Sequence, residues 1–225
     1  MLQAVLDAVG YGLCHQLPER SFFGGGLQAP VCSRDAGIYI GFTIALAILS
    51  LMHRDRPSRP PTTAVNVVLA LGVVAMGIDG VTSYAGMRVT TNELRLLTGL
   101  MTGFALAAWI APVLSSELWR RPGPGRVLEG ARDVGAYLAA LVLSYLLVWY
   151  GAPYLGVIYP VLTAATIIVT FATVNLVIVC LLPSFERRAT RLRDAWVPIL
   201  IAVVLSALQI AGSAWLKAWA LGSLT

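Results

Sequence analysis

Side chains able to do chemistry crowd into two short stretches of an otherwise apolar chain. Residues 14–35 read CHQLPERSFFGGGLQAPVCSRD, and residues 79–99 read DGVTSYAGMRVTTNELRLLTG. Cys14, His15, Cys32 and Asp35 offer two thiols, an imidazole and a carboxylate, a complement suited to zinc. Adjacent side chains point apart, so Cys14 and His15 would strain a shared tetrahedral centre. The two thiols could instead close a disulfide, which would contribute about 3 kcal/mol in an oxidising compartment. Cys14 beside His15 could also serve as a thiolate nucleophile. His15, Glu19 and Asp79 are candidate acid–base groups. Arg20, Arg34, Arg88 and Arg95 are candidate ligands for an anion, with Asn92 and Thr98 as neutral donors. The plainer reading of the charged residues is a set of ion pairs that fastens loops to helix ends. Gly24, Gly25 and Gly26 could turn backbone amides toward an anion, but they lack the spacing of a phosphate-binding loop and read more simply as a turn.

The elements that must hold these residues are membrane helices. Of 225 residues, 58% are hydrophobic and 12% charged, about half the charge of a soluble domain. Mean hydropathy is +0.78. That composition excludes a soluble enzyme, a disordered chain and a nucleic-acid binder, although the pI is 9.4. Three cysteines exclude a disulfide scaffold. Apolar runs of spanning length, roughly 20 residues, occur at 36–52, 63–82, 95–114, 134–151, 155–182 and 196–221. None alternates with period two, which argues against a β-barrel. The expected fold is all-α, a single membrane domain over 1–225 with six transmembrane helices. Pro160 is expected to kink the fifth, whereas Pro198 falls in the first turn of the sixth, where proline is tolerated.

Charge sets the expected orientation. Eleven of the sixteen basic residues fall in one set of loops: 54–59, 120–132 and 187–193. By the positive-inside bias these loops are cytoplasmic. Both termini and both polar stretches are then extracytoplasmic. The net charge of +5 reads as topology and contact with anionic lipid, with no role for nucleic acid. Trp149, Tyr150, Tyr154, Trp215 and Trp219 fall at outer ends, and Trp119 and Trp196 at inner ends, as interfacial belts require. Lys217, between two tryptophans, is expected to snorkel outward. Leu2, Val5, Leu6, Val9 and Leu13 recur at helical spacing. They predict an amphipathic helix in the outer interface, with a re-entrant hairpin as the alternative.

Two patterns bear on packing. Gly37, Gly41, Phe42 and Ala45 repeat as Gly99, Gly103, Phe104 and Ala107. Small residues four apart let backbones approach closely in lipid, so the first and third helices are expected to pair in parallel. Arg95, at the hydrocarbon edge, should then find a carboxylate, with Asp79 the first choice. Thr163, Thr166, Thr170 and Thr173 line one face of the fifth helix, and Ser206, Gln209 and Ser213 one face of the sixth. These read either as interhelical hydrogen-bonding groups or as a polar route for a solute. Cys180 reads as an inert apolar thiol.

Both polar stretches resemble the signature of a family of small integral membrane proteins of bacteria and archaea, catalogued as a domain of unknown function. Its pattern is C-H-Q-x-P-E-R-S, P-x-C-x-R-C-x-G-x-Y-x-G, D-G-x-x-Q and N-x-x-R-x-x-T-G. Matching residues run from Cys14 to Ser21, then Pro30, Cys32, Arg34, Gly37, Tyr39 and Gly41, then Asp79 and Gly80, then Asn92, Arg95, Thr98 and Gly99. Asp35 stands where the family has a third cysteine, and Ser83 near its glutamine. The resemblance implies fold and membrane location, and no activity. The residues themselves point to a pocket at the lipid–water boundary that binds or processes an anionic, amphiphilic molecule. A small-solute transporter and a thiol- or metal-based redox protein are the alternatives.

Overall fold

A computed structural model describes residues 1–222. Six helices are long and apolar enough to cross a membrane: α2 (Ser33–Met52), α3 (Thr63–Tyr84), α4 (Asn92–Leu118), α5 (Ala131–Gly151), α6 (Ile158–Cys180) and α7 (Trp196–Gly222). The N-terminal α1 (Leu2–Tyr11) is too short to span, at 1.5 Å per residue. Each span matches its predicted apolar run to within a few residues.

Helices α2 and α4 form the centre. In its most apolar stretch α4 is 61% buried, whereas α3 and α7 are each 11% buried. Val67, Leu71, Val74, Ile78 and Val81 on α3 are all exposed. Such a continuous apolar face requires an apolar solvent, and lipid supplies it.

The central pair is close because glycine makes it so. A Cβ at Gly37 would stand 2.6 Å from the Leu96 carbonyl, and one at Gly41 3.1 Å from that of Leu100. At Gly99 and Gly103 it would collide with the carbonyls of Arg34 and Ile38. The ordered match of 37 with 99 and 41 with 103 makes the pair parallel. Phe42 and Phe104 are fully buried below it. The ring of Tyr137 on α5 packs against Phe104 at 4.9 Å, tilted by 56°, and its hydroxyl donates to the Phe104 carbonyl at 2.7 Å.

Two expectations are corrected. Pro160 does not kink a long fifth helix. The chain breaks at Gly156 (φ 52°), and α6 begins only at Ile158. Pro160 therefore lies in the first turn, where its missing N–H costs nothing. Nor does Lys217 reach outward. Its Nζ donates to the carbonyls of Tyr11 (2.6 Å) and Cys14 (2.9 Å) and lies 4.5 Å from the Tyr11 ring. The carbonyls at the end of α1 have no partners within their own helix, and a half-buried ammonium meets that need.

The threonines of α6 satisfy themselves within their own helix. Thr163, Thr166, Thr170 and Thr173 each donate to a carbonyl three or four residues back. Between α6 and α7 the bonds come from Asn175, whose Nδ2 donates to Ser206 Oγ (2.9 Å) and Gln209 Oε1 (2.8 Å).

The connections at the two ends differ. On the side of α1, strands β1 (Phe23–Gly24) and β2 (Leu27–Gln28) form a minimal hairpin. Gly25 and Gly26 (φ 58° and 78°) supply the two left-handed residues its turn needs. The glycine run is thus a turn. At the opposite end, β3 (Pro57–Arg59) pairs in parallel with β4 (Gly123–Arg126). Trp119 bridges to Ala189. Backbone pairing therefore joins all three Arg-rich loops.

Candidate functional site

Asp79 is the hub. It sits near the end of α3, 1% exposed. Its Oδ2 accepts from Arg34 Nε at 3.1 Å and from Arg34 Nη2, and its Oδ1 from Arg88 Nη2 (2.5 Å) and Thr90 Oγ1 (3.0 Å). Arg34, in the first turn of α2, is itself buried. One carboxylate thus ties α2, α3 and the loop before α4 together. The expected Asp79–Arg95 pair does not form. The α2–α4 contact brings Arg34 to Asp79 first, and the loop after α3 folds Arg88 back onto the remaining oxygen.

Arg95 is left with less. It is 5% exposed, and its Nη2 donates to Ser83 Oγ at 3.2 Å. Its Nε is buried with no acceptor. A buried guanidinium short of acceptors is costly, and among the described residues Arg95 is the buried cation of this end left in that state.

The thiols lie close by. Ligand atoms of Cys14, Cys32 and Asp35 all fall within 4.8 Å of one another. The Cys32 amide donates to Cys14 Sγ at 3.3 Å, and Cys32 Sγ donates to Asp35 Oδ2 at 3.2 Å. All three cysteines of the chain are free and buried. Cys32 has one proton and two acceptors, Cys14 Sγ and the Asp35 carboxylate. Its hydrogen bond lowers the Cys14 thiol to about 7. The same bond, with burial, pushes Cys32 well above the ordinary thiol range. His15 is not among these ligand atoms: its ring lies 6.2 Å from that of Tyr84. Neighbouring side chains diverge here, so the expected four-residue ligand set contracts to three.

The remaining candidates mostly fasten the loop. Asn92 Nδ2 donates to the Glu19 carbonyl (3.1 Å) and Ser33 Oγ to that of Arg20 (2.9 Å). The Pro18–Arg20 turn is thereby anchored to the start of both α4 and α2. Thr98 donates to carbonyls of its own helix. The Glu19 carboxylate is exposed, 3.9 Å from Arg20 Nε. Arg20 also lies 5.8 Å from the Tyr84 ring centre. Ser83 enters the sequence reading only as a departure near the family's glutamine, and Tyr84 and Thr90 are not singled out there. Their position beside Asp79 in the second polar stretch is the only signal that marks them.

Chemically, this end offers an anion-seeking guanidinium, a thiol pair with a carboxylate, and an exposed imidazole and carboxylate on the rim. Six apolar spans and such a cluster at one end define a polytopic helical membrane protein. Residues 14–109 match a family model described as predicted membrane protein (DUF2085), and the chain belongs to that family. Two relatives are an uncharacterized protein of Methanocaldococcus jannaschii, 33% identical over 116 residues (52% of this chain, 72% of the relative), and an uncharacterized protein of Methanothermobacter thermautotrophicus, 42% identical over 97 residues (42% of this chain, 81% of the relative). No solved structure matches. The family region holds the thiols, the Asp79 hub, Arg95 and the α2–α4 pair, and excludes α1 and α5–α7.

Proposed function

We propose that this end of the protein binds an anionic, amphiphilic molecule at the lipid–water boundary, with Arg95 as the principal anion ligand. The observation that carries this reading is the buried Arg95 Nε with no acceptor. Asp79 already serves Arg34 and Arg88, so neither carboxylate oxygen is left for Arg95. Arg20 adds charge at the rim, and the exposed His15 and Glu19 are the groups able to move a proton to or from a bound molecule. The excess of arginine at the other end supports an extracytoplasmic position for this site and for both termini, with α1 lying in the interface.

The test is lipid and metabolite analysis of protein purified in neutral detergent. An anionic amphiphile should be retained by the wild type and by Arg95→Lys, and lost from Arg95→Gln. Retention by Arg95→Gln equal to wild type overturns the reading. Orientation is tested separately. A cysteine at Gly125 should resist an impermeant thiol reagent in intact cells, and labelling without permeabilisation reverses the topology.

A second reading concerns metal. Cys14, Cys32 and Asp35 could provide two sulfurs and an oxygen to zinc, leaving a fourth position for water or substrate. The spacing of the three ligand atoms favours it. Stoichiometric zinc lost in Cys14→Ser would support a metal centre. Transport remains the alternative class. The α6 threonines, bonded to their own helix, give it no added support.

A further inference from the structure

The end opposite the family motifs holds a cavity that the proposed function does not use. It encloses about 470 Å³ between the lower parts of α2, α4 and α6, within the range of about 300–1,000 Å³ usual for small-molecule sites. Its walls are of two kinds. Leu46, Leu114 and Leu176 line the membrane-ward part, and His53, Arg54 and Arg56 line the part toward the loops. A second cavity of about 430 Å³ shares Arg56 and adds Arg120 and Arg121.

The polar wall is positively charged and uncompensated. Among the described residues, none of Arg54, Arg56, Arg120 and Arg121 pairs with a carboxylate. His53 Nε2 is buried with no partner. Arg56 is held in place: its guanidinium lies 3.5 Å from the Trp119 ring centre, and its backbone adopts φ 58°. A non-glycine residue in that region is uncommon and must be maintained by its surroundings. Here they are the β3–β4 pairing and the Trp119 ring. The loops are thus built so that a fixed cation faces the cavity.

We infer that this cavity is a binding site for an anionic glycerophospholipid of the leaflet at the Arg-rich end. The phosphodiester would lie between His53, Arg54 and Arg56, and one acyl chain would run along Leu46, Leu114 and Leu176. Charge complementarity selects the headgroup, and the apolar wall at the depth of the hydrocarbon selects a tail over a free anion. A zwitterionic lipid would bring its quaternary ammonium up against the arginines, and inorganic phosphate would leave the leucines wet. The inference is independent of the Arg95 reading.

Native mass spectrometry of protein in neutral detergent, with phosphatidylglycerol or phosphatidylcholine added, tests it. One phosphatidylglycerol should survive release from the micelle, bound about tenfold or more tightly than phosphatidylcholine, the scale of a lost charge-assisted contact. Arg54→Gln, at an exposed position that leaves Trp119 and β3–β4 intact, should erase most of that preference. Leu176→Trp should fill the tail space and lower binding of both lipids. All of these measurements are made in the Arg95→Gln background, so that an amphiphile held at the motif end does not contribute to the retention that is read. Equal retention of the two lipids, full retention by both cavity variants, or displacement of phosphatidylglycerol by millimolar inorganic phosphate overturns the inference.

Discussion

The two ends of the protein hold their loops by opposite means. At the motif end side chains do it: Asp79 to Arg34 and Arg88, Asn92 to the Glu19 carbonyl, Ser33 to the Arg20 carbonyl. At the Arg-rich end backbone does it. Gly123 N–H donates to Arg56 (2.9 Å), Val127 to Arg59 (3.0 Å), Arg120 to Ala189 (2.9 Å) and Arg187 to Glu117 (2.7 Å). The first kind of fastening depends on residue identity and breaks with one substitution. The second tolerates many side chains, although Arg56, Arg126 and Arg187 add bonds to loop carbonyls. Among the described residues, Arg54, Arg56, Arg120 and Arg121 thus keep their charge clear of any carboxylate, whereas at the motif end most charge is consumed by the network itself.

The sharpest break of this comparison is Asp79→Asn. It leaves Arg34 and Arg88 facing a neutral group and should cost about 3–5 kcal/mol. Asp55→Asn in a loop of the other end should stay within about 0.5 kcal/mol. Thermal unfolding in detergent compares them, and equal shifts would remove the distinction between the ends. Next comes the central pair. Gly99→Ala drives a methyl into the Arg34 carbonyl and should cost about 1–3 kcal/mol. Gly135→Ala on α5 meets nothing within 4 Å and should stabilise by about 0.5–1 kcal/mol.

A smaller effect is expected at the backbone-held end. Ser58 Oγ donates to the Gly123 carbonyl at 2.8 Å, a side-chain bond that supplements the backbone seam. Ser58→Ala should cost about 1 kcal/mol and leave the β3–β4 amides protected from hydrogen exchange. The last prediction is a pH dependence. Cys14 titrates near 7 in the folded protein against an ordinary value of 9.0, so folding favours its thiolate. That contribution is complete above about pH 9 and is lost as pH falls through 7. Cys32 is shifted the other way, so its contribution is present below pH 9 and fades above it. The melting temperature should therefore rise between pH 7 and 9, and Cys14→Ala should flatten that rise.

Much of the architecture was legible in the residues. Six apolar runs gave six spans, because hydrophobic length is a direct physical requirement of the bilayer. The repeated glycine spacing gave the α2–α4 contact, because only glycine permits it. The motif cluster was legible as a set but not in its pairings. Whether Asp79 meets Arg34 or Arg95 depends on angles that a one-dimensional spacing does not carry. The Arg-rich loops were read only as a topology signal in contact with anionic lipid, since backbone pairing in segments such as Pro57–Arg59 and Gly123–Arg126 has no residue signature. The cavity they build was invisible for the same reason. Asn175 escaped notice because a lone amide in an apolar run gains meaning only when Ser206 and Gln209 are placed beside it.

Lys217 has a consequence for the order of events during synthesis. Its bonds to the Tyr11 and Cys14 carbonyls join residues separated by 206 and 203 positions. A chain emerging from the ribosome makes the first partner almost at once and the second almost last. The N-terminal helix, already bonded to Gln28 through Gln3, must therefore wait for its cation through the insertion of every other span. Cys14 waits with it. The final anchoring of the thiol cluster is thus coupled to completion of translation, and a nascent chain stalled before α7 would present the N-terminal helix without its cationic clasp.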